Sequence, residues 1–249
     1  MRYLKLIICI ILCFAVIGCA SSNDNEIVTD EISGLPLSYE KAMEDGEICI
    51  LVDAGHGLSD VGAMNEENLG NVTEADINFA VASLFAKNLT KKGYTVIMSH
   101  DGETKPYTKY DDGENTYGPS ERADFSNSTK ADIFVSIHCD SFPSNTDVYG
   151  TRLYYADGTP NSTALDKQLA SAVGKALDTD FPDAKDVILK PMDSSTAYTV
   201  LYKTVIPSLL VECGFITNKG DAEKLLDSEW QAKFASSLAD GIDKYFEVK

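Results

Sequence analysis

The chain has 249 residues, 44% of them hydrophobic and 24% charged, which suits one α/β domain of roughly 200 residues once a leader is set aside. Its formal charge is −18; removing residues 1–18 takes away two basic groups and no acidic one, leaving −20. So acidic a chain offers no basic face to phosphates, which argues against a nucleic-acid partner and against charge-driven attachment to an anionic polymer.

The N-terminus reads as a targeting segment. Arg2 and Lys5 precede an uncharged run from Leu6 to Gly18, short for a bilayer span and suited to a secretory apolar region. It closes with Val16-Ile17-Gly18-Cys19 and a polar Ala20-Ser21-Ser22-Asn23-Asp24, which resembles the bacterial lipobox. Residues 1–18 are then a lipoprotein signal peptide, with Cys19 carrying lipid and holding the protein on a membrane. The expected location is outside the cell, at the outer face of the cytoplasmic membrane, or in the periplasm or outer membrane of a Gram-negative cell. Residues 19–46 hold Ser, Asn, Asp and Glu with little periodic apolar content, the composition of a flexible tether. Three cysteines remain beyond it, Cys49, Cys139 and Cys213, an odd number in apolar contexts and no disulfide framework.

From 47 to 249 the pattern alternates. Ile48 to Val52 predicts a first strand, and residues 57–72 a Gly- and Asn-rich loop. Thr73 with Asp76 is a capping pair for a helix whose Ile77, Val81, Leu84, Phe85 and Leu89 share one face, closed by Gly93. Tyr94 to Ser99 predicts a second strand, 101–119 a long polar loop, and Ser120 to Lys130 a second helix. Strands follow at Asp132 to His138 and Thr151 to Tyr155, then a helix from Thr163 to Leu177 with Leu165, Leu169 and Val173 inward. The last strands are expected at Val200–Thr204 and Pro207–Cys213, and a helix from about Ser228 places Trp230, Phe234, Leu238 and Ile242 on one face. Strands alternating with helices predict the α/β class: one domain, a mainly parallel twisted sheet, and helices on both faces.

Three strand ends carry polar residues that a buried strand would not choose. Ile50-Leu51-Val52-Asp53-Ala54-Gly55-His56-Gly57 delivers an imidazole between two glycines, Phe134-Val135-Ser136-Ile137-His138 delivers a second, and Val211-Glu212-Cys213-Gly214 a carboxylate. Ligands of open α/β sheets sit beyond such carboxyl ends. Each residue alone could be structural. Together, two imidazoles and a carboxylate suit a catalytic zinc with three protein ligands and one open position. The residues leave the third ligand open among Glu66, Glu67 and Glu74. His100, in Ser99-His100-Asp101-Gly102, reads as solvated turn, and Arg122 as an ion-pair partner or a substrate contact. Cys139 and Cys213 should face away from His138 and Glu212 and serve as core thiols.

Asp53-x-Gly55-His56-Gly57, Glu74-x-Asp76-x-Asn78, Glu121-Arg122, Ser136-Ile137-His138 and Val211-Glu212-x-Gly214-Phe215-x-x-Asn218, in this order, resemble the zinc-dependent N-acetylmuramoyl-L-alanine amidases. The likeness runs from about Ile48 to the C-terminus. It implies one zinc ion per chain held by His56, Glu74 and His138, Glu212 as catalytic acid/base, a peptidoglycan substrate and a monomer. Two features depart from the pattern: Cys139-Asp140, where many members have Ala-Asn or Ala-Asp, and a long 101–119 loop. A peptidase with the same metal site and a non-catalytic wall-binding relative are the other two readings, the second weakened by all four positions being filled.

Overall fold

In the computed structural model, described for residues 47–102, 117–181 and 187–247, the chain is built on six strands. These are β1 (Cys49–Ala54), β2 (Thr95–Met98), β3 (Ile133–Asp140), β4 (Arg152–Ala156), β5 (Ile188–Met192) and β6 (Ser208–Phe215). The helices are α1 (Glu66–Leu69), α2 (Glu74–Lys91), α3 (Pro119–Ser128), α4 (Ala164–Asp180), α5 (Thr199–Lys203), α6 (Lys219–Leu226) and α7 (Ser228–Glu247). The expected leader and tether, and residues 103–116 of the long polar loop, lie outside the described residues. Among the described residues no helix is long and apolar enough to cross a membrane.

The sheet order is β2-β1-β3-β6-β4-β5; β1, β2, β3 and β6 run parallel, and β4 pairs antiparallel to β6. Every residue of β1 and β6 is buried, as strands covered on both faces must be, which explains their near-continuous apolar runs. One face carries Ile50, Val52, Ile133, Val135, Leu209 and Val211 against α2, α4 and α7. The other carries Leu51, Phe134 and Leu210 against Phe125 of α3 and Leu201 of α5.

Helix starts follow local chemistry. Thr73 accepts from the Asp76 amide at 3.2 Å while Asp76 accepts from the Thr73 amide at 2.8 Å, closing the capping box that opens α2. Thr163 and Asp166 repeat it on α4, and Asp166, not Leu165, is the buried residue there: its second oxygen accepts from the Ser208 amide and ties the helix to β6.

Four elements differ from expectation. Helix α1, capped by Asn65, is a single turn inside the expected loop 57–72. Val200–Thr204 is not a strand but lies in helix α5 with its cap: Val200 and Leu201 are buried side by side while Tyr202 and Lys203 face out, a helical turn that β-branched composition disguises. Strand β5 escapes sequence reading because Ile-Leu-Lys-Pro-Met is mostly exposed and carries a proline, tolerated only at a sheet edge. Helix α6, capped by Asn218, is too short and polar to announce itself.

Candidate metal centre

The carboxyl ends of β1, β3 and β6 lie side by side, and their register sets the site. Ala54 pairs with Ile137, and His138 pairs directly with Glu212. His56 follows two residues beyond β1 with φ +62°, a left-handed turn that swings its ring back over the rim. The two imidazoles meet edge to face, centroids 4.9 Å apart. Gly55 is obligatory between them: a Cβ there would come within 2.2 Å of the His138 ring.

Glu74 arrives from the first turn of α2. Its Oε1 lies 3.2 Å from His56 Nε2 and 3.1 Å from His138 Nδ1, and the ligand atoms of all three residues fall within 4.8 Å of one another. Ala63 and Cys139 amides and the Asn78 side chain also donate to this carboxylate. Of the three glutamates open as third ligand, the fold buries Glu74 in the cluster and leaves Glu66 and Glu67 exposed on α1. Asp60, not singled out by the sequence, accepts from His56 Nδ1 at 2.7 Å and orients the ring as a second carboxylate commonly does behind a metal-binding histidine. Its signal, a carboxylate four residues after His56, was there to be read.

Electrostatics follow from these contacts. Burial disfavours a charged His56, but Glu74 and then Asp60 outweigh it and raise the ring to about 9. Burial likewise works against an ionised Glu74, yet hydrogen bonds from His138 and His56 hold it well below the usual carboxylate range. Two imidazole nitrogens and a carboxylate oxygen drawn together in this way could hold a metal ion, and they are donors of the kind that catalytic zinc sites use.

Glu212 has the opposite character. It is buried, its Oε2 has no hydrogen-bond partner, and burial, then the Asp140 and Glu74 charges, push its pKa well above the ordinary value. A carboxyl group whose affinity for a proton is raised, standing beside a cluster that could hold a metal, is suited to acid/base work.

Beneath the rim lies a structural network. Arg122 of α3 donates to Asp53 Oδ1 at 2.6 Å, to the Ala54 carbonyl at 2.7 Å, to the Tyr117 carbonyl at 2.8 Å and to the His56 carbonyl. Of its two possible roles, the structure gives it the ion pair: it is buried, and it fixes the backbone that presents His56. His100 is not solvated turn. It is buried, pairs through Nε2 with the Ala54 carbonyl at 2.7 Å, and accepts from the Gly102 amide. Burial first, and Arg122 after it, lower its pKa, so it is a neutral spacer under Gly57. Cys139 and Cys213 are buried on the opposite face in the main core, as core thiols should be.

Comparison with known proteins agrees. Residues 50–244 match the model of the N-acetylmuramoyl-L-alanine amidase family. The chain is 32% identical over 200 residues to YqiI of Bacillus subtilis, an uncharacterised protein, covering 80% of this chain and 84% of that one. It is 30% identical over 202 residues to the N-acetylmuramoyl-L-alanine amidase LytC of the same organism, where it spans 79% of this chain but only 35% of the relative. Among solved structures, the CwlD amidase of Clostridioides difficile, determined in complex with the GerS lipoprotein, superposes with a TM-score of 0.68 at 28% identity, covering 81% of this chain and 100% of that one. Motif, sheet rim and matched span agree: this chain belongs to the N-acetylmuramoyl-L-alanine amidase family.

Proposed function

We propose that this protein is a zinc-dependent peptidoglycan hydrolase that cleaves the amide between the lactyl group of N-acetylmuramic acid and L-Ala of the stem peptide. His56, Glu74 and His138 would hold the ion, one per chain. The observation that carries the reading is their convergence within 4.8 Å from three separate elements. A bound zinc supplies Lewis-acid polarisation of the scissile carbonyl and makes water acidic enough to attack near neutral pH.

The protein's own groups do the rest. Glu212 takes a proton as water adds to the carbonyl carbon and returns it to the amine nitrogen as the carbon–nitrogen bond breaks. Its free Oε2 gives that proton a place to go, and its raised pKa lets it serve as donor in the second half. Asp60 holds the His56 ring, while the amides of Ala63 and Cys139 fix the Glu74 carboxylate. Substrate contact and chemistry then belong to wall remodelling, daughter-cell separation or lysis.

The test is metal content and product mass together. The purified protein should carry one zinc per chain and release peptides beginning with a free L-Ala amine, and a chelator should stop the reaction. Cleavage between amino acids would make it a peptidase; zinc near zero would make it a wall-binding relative. We also infer export and lipid attachment at Cys19, supported by the basic, apolar and small-residue order of residues 2–19. Mass spectrometry of the mature protein should find a diacylated Cys19 at the N-terminus, and a chain that keeps residues 1–18 would overturn this.

A further inference from the structure

Several exposed apolar side chains that the chemistry does not use stand on segments that carry or flank the site residues. Val61 (45% exposed) and Met64 (60%) stand on the loop that clasps Glu74, Phe142 (44%) follows Asp140 by two residues, and Tyr198 (41%) precedes α5. Val61 and Ala63 carbonyls accept the first amides of α2, so that part of the rim is fixed to the metal centre. Exposed apolar groups on segments next to a polar site are candidates for ligand contact.

Tyr198 is the best supported of these. Its ring packs edge to face on Tyr154 with centroids 5.2 Å apart. Tyr154 lies on β4 two residues beyond Arg152, the strand partner of Glu212, and alternation puts Tyr154, Arg152 and Glu212 on one face of the sheet. The ring contact therefore holds Tyr198 against the residue that lies two positions along the β4–β6 ladder from the Arg152–Glu212 pair.

We propose that Tyr198, braced by Tyr154, is a substrate-contact residue that takes the apolar face of a sugar ring of the glycan strand. This rests on the amidase reading and adds which part of the substrate lies on the β6 side of the cleft. The chemistry of that wall decides between the two halves of a muramoyl peptide. It offers the face of an aromatic pair, and the cation beside it, Arg152, is buried and donates to the Thr151 and Tyr149 carbonyls, so it is not presented to the carboxylates of a stem peptide. A sugar whose own carboxyl is tied up in the scissile amide is neutral, and its C–H face stacks well on an aromatic ring. The peptide then leaves toward the opposite side of the cleft.

The test compares zinc-loaded wild type, Tyr198→Ala, Tyr198→Phe and the surface control Tyr202→Ala on glycan strands bearing stem peptides. Tyr198→Ala should raise KM about five- to tenfold with kcat changed less than twofold, the pattern of lost ground-state binding. Tyr198→Phe should keep the wild-type KM, because the ring makes the contact, and Tyr202→Ala should do the same. An unchanged KM in Tyr198→Ala, or an equal loss in Tyr198→Phe, overturns the proposal. Should Tyr198→Ala fail to fold, saturation-transfer NMR of metal-free wild type with peptide-free glycan strands gives the answer: sugar protons should contact tyrosine rings. Binding of isolated stem peptide in place of the glycan would refute the assignment. Wild type that releases no peptide from any substrate would instead refute the amidase reading, a result the variants do not imitate.

Discussion

Asp53 and Glu212 are both fully or almost fully buried carboxylates near the carboxyl ends of parallel strands, and they are built for opposite purposes. Asp53 is saturated: Arg122 at 2.6 Å, Ser136 at 2.6 Å and Ser99 at 2.5 Å all donate to it. Burial alone would raise its pKa, but the guanidinium and the two hydroxyls reverse that and bring it to about 2. Glu212 has an oxygen without a partner, and its pKa is driven up by burial and by neighbouring carboxylates. A carboxylate that has every donor it can use holds structure together. One left short of donors is available to water and to a leaving group.

The largest expected effect follows from that contrast. Glu212→Gln should lower peptide release by about 10²–10⁴-fold, the usual contribution of a general acid/base, while zinc content stays at one per chain. Stability should stay level or rise by about 1 kcal/mol, because the variant removes a buried, under-bonded ionisable group. Chemical denaturation alongside the kinetics reads both, and a large stability loss would put Glu212 in the same class as Asp53.

Breaking the other carboxylate should do the reverse. Arg122→Met leaves Asp53 buried without its counter-charge and should cost about 3–5 kcal/mol. Adding Asp53→Leu should recover part of that, since removing both partners is far cheaper than removing one. A variant that raises KM at unchanged stability would make Arg122 a substrate contact instead.

How much of this was written in the sequence depends on range. His56, His138 and Glu212 stood out because each ends an apolar run, so local pattern and function point the same way. Glu74 did not. The residues alone left Glu66 and Glu67 equally open, and only the order of motifs in the family separated them; in the fold the choice is made by a loop whose Ala63 amide grips Glu74. His100 and Arg122 depend on partners far off in sequence: the Ala54 carbonyl lies 46 residues from His100 and 68 from Arg122. Ser99-His100-Asp101-Gly102 has the composition of a surface turn, and nothing within it says that a strand end arrives to bury the ring. The same holds for α5, whose Val, Leu and Thr favour a strand until burial on one side only is known.

Gly55 sharpens the comparison on the metal side. Gly55→Ala would set a methyl group 2.2 Å from the His138 ring, with no flexible chain end to yield. The imidazole must tilt, so zinc affinity should fall about 10–100-fold, as it does when groups that orient metal ligands are lost. Competition with a fluorescent chelator measures it, and unchanged affinity would show that His138 is not a ligand.

The smallest effect is a change of sign with pH. In the metal-free protein, His56 titrates near 9 instead of near its ordinary 6.5, and the same contact holds its partner Glu74 low. A raised histidine pKa gives stability that is complete below about 6.5 and lost as pH climbs through about 9. The His56 side chain is 27% exposed, so solvent screening reduces the effect to about 1 kcal/mol. Metal-free protein should therefore become less stable from pH 6.5 to 9. Zinc requires the neutral ring and releases its proton on binding, so zinc affinity should rise over the same interval. The separation between the melting curves of zinc-loaded and metal-free protein should accordingly widen with pH. Curves that converge would mean that the proton on His56 and the metal do not compete for one place, and the three donors would then be an ion-pair cluster of the same structural kind as Asp53 and Arg122.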